Sequence, residues 1–159
     1  MATIKLAQVD QHNWRIALQL SVHPDQQHFV TDIVPVAAIA LAKAYVRPLG
    51  MDWDPYAIYA DENMVGFFEL AYPPETYGVC WLFHFFIDQS HQGKGYGRKA
   101  LKAVIELVKQ HYSSCPKLHL TVHPDNVIAQ GLYTSAGFQP TGDTLNNEPV
   151  YELKLSMSL

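Results

Sequence analysis

Gln92-Gly93-Lys94-Gly95-Tyr96-Gly97-Arg98-Lys99-Ala100 sets three glycines at alternate positions among basic residues. Before it runs Val79-Cys80-Trp81-Leu82-Phe83-His84-Phe85-Phe86-Ile87, a nearly unbroken apolar stretch. After it, Leu101, Val104, Ile105, Val108 and Tyr112 recur at helical spacing, opposite Lys102, Glu106 and Lys109. Residues 81–87, apolar on both faces, read as a strand central in its sheet. A strand, then bare backbone, then an amphipathic helix is the general recipe for holding phosphate. Backbone amides converge, the helix N-terminus adds its positive end, and missing side chains let oxygens approach.

Outward from that turn the chain divides into short elements. Thr3 and Lys5 alternate with Ile4 and Leu6, a strand that can run on to Val9. Residues 10–13 offer helix caps before Trp14, Ala17 and Leu18, a short helix. Residues 21–29 are mostly polar and broken by Pro24. Pro35 fits the first turn of a second helix carrying Val36, Ile39, Ala40 and Lys43, stopped by Arg47-Pro48-Leu49-Gly50. Residues 56–60 and 64–72 flank a polar Asp61-Glu62-Asn63 turn and form a hairpin, ended by Pro73-Pro74. Residues 118–122 are another strand. His123-Pro124-Asp125-Asn126 then turns into a helix carrying Ala129, Leu132, Tyr133 and Ala136, with Gly137 placed as its C-cap. Asn146-Asn147 joins two closing strands. The order β-α-α-β-β-β-α-β-α-β-β predicts an α/β single domain over residues 1–159, built on a mixed sheet.

The 159 residues, 48% hydrophobic and 16% charged, suffice for one core. No run of about 18 apolar residues occurs, so no membrane span is expected. Residues 1–10 lack the apolar core and cleavage site of a signal peptide. Cys80, inside the apolar run and far in sequence from Cys115, reads as a buried free thiol, and a reducing, cytoplasmic setting is expected. The net charge of −4 is uneven: residues 1–78 hold nine acids against four bases, residues 79–159 six against seven. Lys94, Arg98, Lys99 and Lys102 crowd the glycine turn. This points to an anion near the glycines; the acidic half reads either as a cation site or as an ordinary solvated surface. Without a basic face or interleaved aromatics, nucleic acid is not an expected partner. His119 and His123 span a strand and its exit rather than one helix face, and no metal is expected.

Two phosphate-binding motifs fail here. A P-loop needs Lys then Ser or Thr after its last glycine, and Gly97 is followed by Arg98-Lys99-Ala100. A dinucleotide fingerprint read from Gly93 needs glycine at Arg98; read from Gly95 it reaches Ala100, and the next strand exits at His123-Pro124 rather than at an acid. The pattern [Q/R]-x-x-G-x-[G/A] fits at Gln92, Gly95 and Gly97. About 30 residues on comes Asn126-x-x-Ala129-x-x-Leu132-Tyr133-x-x-x-Gly137-Phe138. In this order, with a helix and a strand between them, the two resemble the GNAT superfamily of acetyl-coenzyme A-dependent N-acetyltransferases, and the element order agrees across the whole chain. The resemblance implies a mostly antiparallel mixed sheet of about seven strands with about four helices. The string from Trp81 to Asp88, continued by residues 92–97, looks like bacterial spermine/spermidine (diamine) acetyltransferases, as do Asn13-Trp14, Phe29-Val30, residues 56–59 and Val65-Gly66-Phe67. His84 departs from that group, where a larger basic residue is expected.

The resemblance also implies that acetyl-CoA is the cofactor, its pyrophosphate lying on the backbone of Gly93, Lys94, Gly95, Tyr96, Gly97 and Arg98 after Gln92. By the same likeness, Phe85, Phe86 and Ile87 pair through their main chain with the pantetheine arm like an added strand, and one amide there holds the thioester oxygen. Asn126 touches the same arm, or serves only as a helix cap. An amine with pKa near ~10 is mostly protonated at neutral pH, so a proton must leave. Tyr133 matches the family's acid that protonates the departing thiolate; the other reading is an amphipathic core tyrosine. His84 is a base by position or a structural histidine, and Glu69 is a base through water or a clamp on the amine. Nothing suggests a histidine-paired thiol, so direct transfer is expected. The acceptor is expected to be a small polyamine-like amine. Glu69, joined by Asp25, Asp32 or Glu75, would hold its charge, with Trp53, Tyr56 and Trp81 as aromatic walls. A protein amine, an aminoglycoside-like antibiotic, or a role as a coenzyme A-binding sensor without turnover are the alternatives. A homodimer stays open.

Overall fold

The computed structural model describes residues 1–31, 35–74 and 78–155. The chain runs through β1 (Ile4–Gln8), α1 (Trp14–Ala17), α2 (Gln27–Val30), α3 (Val36–Val46), β2 (Asp52–Ala60), β3 (Asn63–Tyr72) and β4 (Val79–Ile87). It continues through α4 (Tyr96–His111), β5 (Lys117–Thr121), α5 (Val127–Ser135), β6 (Gln139–Leu145) and β7 (Glu148–Lys154). The sheet order is β1-β2-β3-β4-β5-β7-β6, so β4 is central, as its double-faced apolar run predicts. All neighbours are antiparallel except β4 and β5.

Each face of the sheet is covered by helices, an amphipathic one on one face and an almost wholly apolar one on the other. On one face α4 buries Ala100, Leu101, Val104 and Val108 with Ile58, Phe68, Leu70, Leu118 and Leu120. On the other, Ala17 of α1 and Val36, Ala37 and Ala40 of α3 pack with Ala57, Phe67 and Phe86. Small residues let α3 lie close to the strands. Arg47 ends that helix in the left-handed conformation, φ 57°. Asn146 and Asn147 close the last hairpin at φ 51° and 65°, the conformation Asn tolerates best among non-glycines. No helix of the described residues is long and apolar enough to cross a membrane.

Two features shape the middle of the sheet. β4 and β5 are in register only over Val79–Lys117, Cys80–Leu118 and Trp81–His119. Beyond that they part, and the β4 edge from Leu82 onward is left without β5 as a partner. On its other edge β4 carries a bulge, because Phe67 pairs with Phe86 but Glu69 with Phe83. His84 is the extra residue, held at φ 57°.

The seven-strand mixed sheet is as expected, and the described residues add one short helix to the about four expected: the polar stretch after Pro24 forms a 3₁₀ turn, Pro24–Gln26, and then the single turn of α2. Four residues are too few to display a helical period. Cys80 is not a free thiol but is bonded to Cys115, their Cα atoms 5.7 Å apart. The cysteines therefore no longer speak for a reducing compartment. Spacing hid the pair, since 35 positions separate the two cysteines and α4 folds them together. The bond ties the closed end of the β4–β5 fork. Closing a loop of that length is worth about 3–4 kcal/mol in the chain-entropy account. Reduction, or Cys115→Ser, is expected to lower unfolding stability by roughly 2–4 kcal/mol, read from denaturant midpoints with and without reductant; coincident midpoints would contradict it.

Candidate active site

The turn after β4 is an anion cradle made of backbone. Gly93 and Gly95 stand at φ 80° and 81°, where a side chain is strained, and a Cβ on either would meet nothing within 4 Å. Gly95 is also the residue that starts α4. The first amides of a helix have no intrahelical acceptor and carry the positive end of its dipole. Here they belong to a helix of 16 residues. Gln92 braces the turn: its Nε2 donates to the Ile87 carbonyl at 2.9 Å and to Gln26 Oε1 at 3.0 Å. Asp88, accepting from the Ser21 amide at 2.9 Å and from the Ser90 hydroxyl, fixes the exit of β4. Lys94 and Arg98 are exposed and do not line the cleft that the turn faces. Arg98 reaches sideways to Ser135 Oγ at 3.4 Å. The cradle's backbone thus faces inward while these charges attract from outside.

The cleft holds about 960 Å³ and opens where β4 and β5 diverge. One wall is β4 from Leu82 to Ile87, including Phe85 and Phe86, the latter with its ring packed on Phe67. Tyr96 and Gly97 lie at one end. The opposite wall includes Asn126 and Tyr133. Asn126 caps α5, its Oδ1 accepting from the Ala129 amide at 3.2 Å. Tyr133 lies across from Phe85, ring centroids 6.5 Å apart, and is only 7% exposed. Burial pushes its phenol well above the usual tyrosine range, so the hydroxyl keeps its proton at every physiological pH. A ring contact between His28 of α2 and His123, centroids 5.2 Å apart, stands at the edge of the same cleft.

At the bulge the cleft meets a second constellation that the sequence did not announce. Lys43 of α3 lays its ammonium over Trp53, 5.0 Å from the ring centroid, and over Phe83 at 5.4 Å. Its Nζ lies 3.2 Å from His84 Nε2. An ammonium only donates, so the Nε2 lone pair accepts and the ring proton is assigned to Nδ1, facing the Val30 backbone. Burial, and then the Lys43 charge, push the His84 pKa down to about 4. Glu69 is fully buried with both carboxylate oxygens unpartnered. Burial pushes its pKa up to about 8, the Lys43 charge pulling the other way. The Lys43 pKa is lowered, again by burial first. Helical spacing marks Lys43 only as one position of α3; what brings it here is the docking of that helix on the sheet.

The sequence-predicted groups therefore separate. Tyr133, His84, Phe85, Phe86, Ile87, Gln92, Gly93, Gly95, Tyr96, Gly97 and Asn126 share one cleft, and Glu69 lies beside it without lining it. Of the expected aromatic walls, Trp53 flanks Lys43 and Trp81 stacks on Phe83 at 5.8 Å. Tyr56 is on the other face, stacked on Phe68 at 4.9 Å and hydrogen-bonded to Tyr112, and does not line the cleft. Asp25 is exposed, and Asp32 and Glu75 lie outside the described residues. The described residues hold no cluster of three or more metal-ligating side chains; His119 is spent on Glu152 at 2.7 Å.

The family model of the Acetyltransferase (GNAT) family matches residues 31–138. The spermine/spermidine N(1)-acetyltransferase of Bacillus subtilis is 31% identical to this chain over 154 residues, 93% of the chain and 96% of that protein. The spermidine N-acetyltransferase of Vibrio cholerae, solved with CoA and spermine, superposes with a TM-score of 0.73 at 16% identity, covering 96% of this chain and 95% of that one. A Salmonella typhimurium acetyltransferase that modifies the N-terminal serine of ribosomal protein L7/L12 gives 0.73 at 16% identity, covering 98% and 97%.

Glu69 makes stability depend on pH. Its carboxyl binds a proton more tightly folded than unfolded, so the stability it contributes is whole below its ordinary 4.5 and is lost as pH rises through about 8. Glu69→Gln removes that titration. Melting curves are expected to show the variant gaining on the natural chain across that window, and a constant offset at every pH would refute it.

Proposed function

The chain belongs to the GNAT acetyltransferase family and is an acetyl-coenzyme A-dependent N-acetyltransferase, and from that premise we propose that its acceptor is a polyamine such as spermidine or spermine, acetylated by direct transfer. The observation that carries this reading is the alkyl-ammonium already seated over the stacked rings of Trp53 and Phe83, with the buried acid Glu69 acting on it. An aromatic pair contributes about 0.5–2 kcal/mol to a cation held over its faces, and a neutral-tailed amine gains none of it. The 31% identity to the spermine/spermidine enzyme of Bacillus subtilis supports the same choice.

The residues divide the work by where they lie. Acetyl-coenzyme A supplies an acetyl group as a thioester. The amides of residues 93–98 and the α4 N-terminus hold its phosphates, and the open β4 edge from Leu82 to Ile87 orients its arm. An amide of that edge stabilises charge on the carbonyl oxygen. Tyr133 keeps the proton that the departing sulfur takes up. The His84 lone pair is engaged by Lys43, and Glu69 does not line the cleft; the acceptor's proton is assigned to water in the open mouth. Both cysteines are bonded to each other, so neither offers a thiol for an acyl-enzyme.

Thiol release with a panel of amines tests the acceptor. Spermidine and spermine are expected to exceed neutral-tailed amines in kcat/KM, with the margin shrinking as salt screens the charges; equal rates at all salt concentrations would overturn the assignment. Acetyl-coenzyme A is expected to raise the melting temperature, since it binds the native state alone. Gly95→Val, strained at its positive φ, should remain folded by circular dichroism and lose that shift. A full shift in the variant would remove the cradle from the binding site.

A further inference from the structure

Lys43 is the only lysine lining the cleft among the described residues. Its amine is also a primary alkylamine, the chemical class that the enzyme acetylates. We propose that Lys43 is an internal acceptor: in the absence of an external amine the enzyme acetylates its own Lys43. The proposal rests on acetyl-coenzyme A entering this cleft with its thioester at the β4 bulge.

Four observations converge on that nitrogen. Nζ is positioned rather than free, over Trp53 at 5.0 Å and Phe83 at 5.4 Å. It meets His84 Nε2 at 3.2 Å, and His84 is the bulged residue of the strand that forms the cleft wall. Burial lowers its pKa, which raises the fraction present as free amine. Tyr133, the proton donor for the departing sulfur, lines the same cleft. A side chain held at the reaction centre replaces a bimolecular encounter, an advantage that dwarfs the low basicity of its neighbours.

The step balances with the groups present. Free Nζ attacks the thioester carbonyl, an N–C bond forms and the C–S bond breaks. The acylated nitrogen is strongly acidic, so even a histidine as weakly basic as His84 accepts its proton on Nε2 and passes it to water. The departing thiolate takes the Tyr133 proton, which the phenolate recovers from solvent. The product is acetyl-lysine and free coenzyme A. Acetylation abolishes the cation over the two stacked rings and leaves Glu69 without its positive neighbour. A cationic acceptor seated over the same rings displaces Lys43, so polyamine and self-acetylation compete.

The experiment incubates the purified protein with acetyl-coenzyme A and no amine, then maps acetyl groups by peptide mass spectrometry. Lys43 is expected to be acetylated at least about tenfold faster than exposed Lys94, the advantage of an intramolecular approach. Spermidine should suppress it, and Tyr133→Phe should slow it by about 10²-fold without changing the slow chemical acetylation of Lys94. Before any cofactor is added, limiting acetic anhydride at neutral pH should label Lys43 ahead of Lys94; labelling behind it overturns the free amine and the proposal with it. An unmodified Lys43 in a preparation that acetylates added amines, and that acetyl-coenzyme A stabilises against heat, overturns the internal acceptor alone. An unmodified Lys43 together with loss of both responses overturns the reading of the cleft, and the internal acceptor falls with it.

Discussion

β4 and β5 share backbone hydrogen bonds for three residue pairs and then part, and the rest of the molecule is arranged around that parting. A strand in the middle of a sheet must satisfy both of its edges. β4 does so with β3 along one edge, but from Leu82 to Ile87 the other edge faces a cleft. Such an edge invites an extended ligand with its own donors and acceptors. The fork needs a closed end to remain a fork, and the Cys80–Cys115 bond lies there, 0% and 4% exposed. It needs an anchored open end too, which Gln92 and Asp88 supply by bonding the turn to β4 and to the segments around Ser21 and Gln26.

Where the fork opens, three ionisable groups share a space too apolar to hold them all charged. Burial pushes Glu69 up and His84 and Lys43 down, each toward its neutral form. Their mutual influences run in different senses: Lys43 pulls the Glu69 pKa back down and drives that of His84 further down. Burial thus dominates both shifts, and the Lys43 charge trims one and deepens the other.

The backbone parts of the site were legible in the sequence because they rest on residue types with narrow conformational uses. Gly93 and Gly95 sit at positive φ, Asn126 caps α5, and Asn146-Asn147 makes a turn, all as their chemistry demands. The apolar run of β4 announced a central strand, and the stripe on α4 announced its buried face. Three things could not be read. The cysteine pair is a consequence of topology, not of spacing. α2 is shorter than any period. Lys43 looks like any polar residue of a helix until α3 docks on the sheet and carries it over Trp53 and Phe83. Tyr56 stands apart from the cleft for a related reason: alternation along β2 assigns it a face, but which face borders the cleft depends on which helices cover it.

The bulge at His84 explains how one strand serves both faces of the site. Before it, Cys80 and Leu82 point to the α4 face; after it, Phe85 and Ile87 do, where strict alternation would have sent His84 and Phe86. Phe83 and Phe86, three apart instead of two, consequently share the α3 face with Trp53 and Phe67. The inserted residue turns Phe85 toward Tyr133 and leaves the His84 ring beside Lys43. It also takes His84 out of the even ladder of hydrogen bonds to β3. The local cost of a left-handed histidine, a sparsely populated conformation for a residue with a side chain, is thus tied to a specific gain. The same short stretch of backbone leaves an open edge along the cleft and sets the aromatic pair of Trp53 and Phe83 beside Lys43. Without the extra residue, Phe85 would point at α3, away from Tyr133.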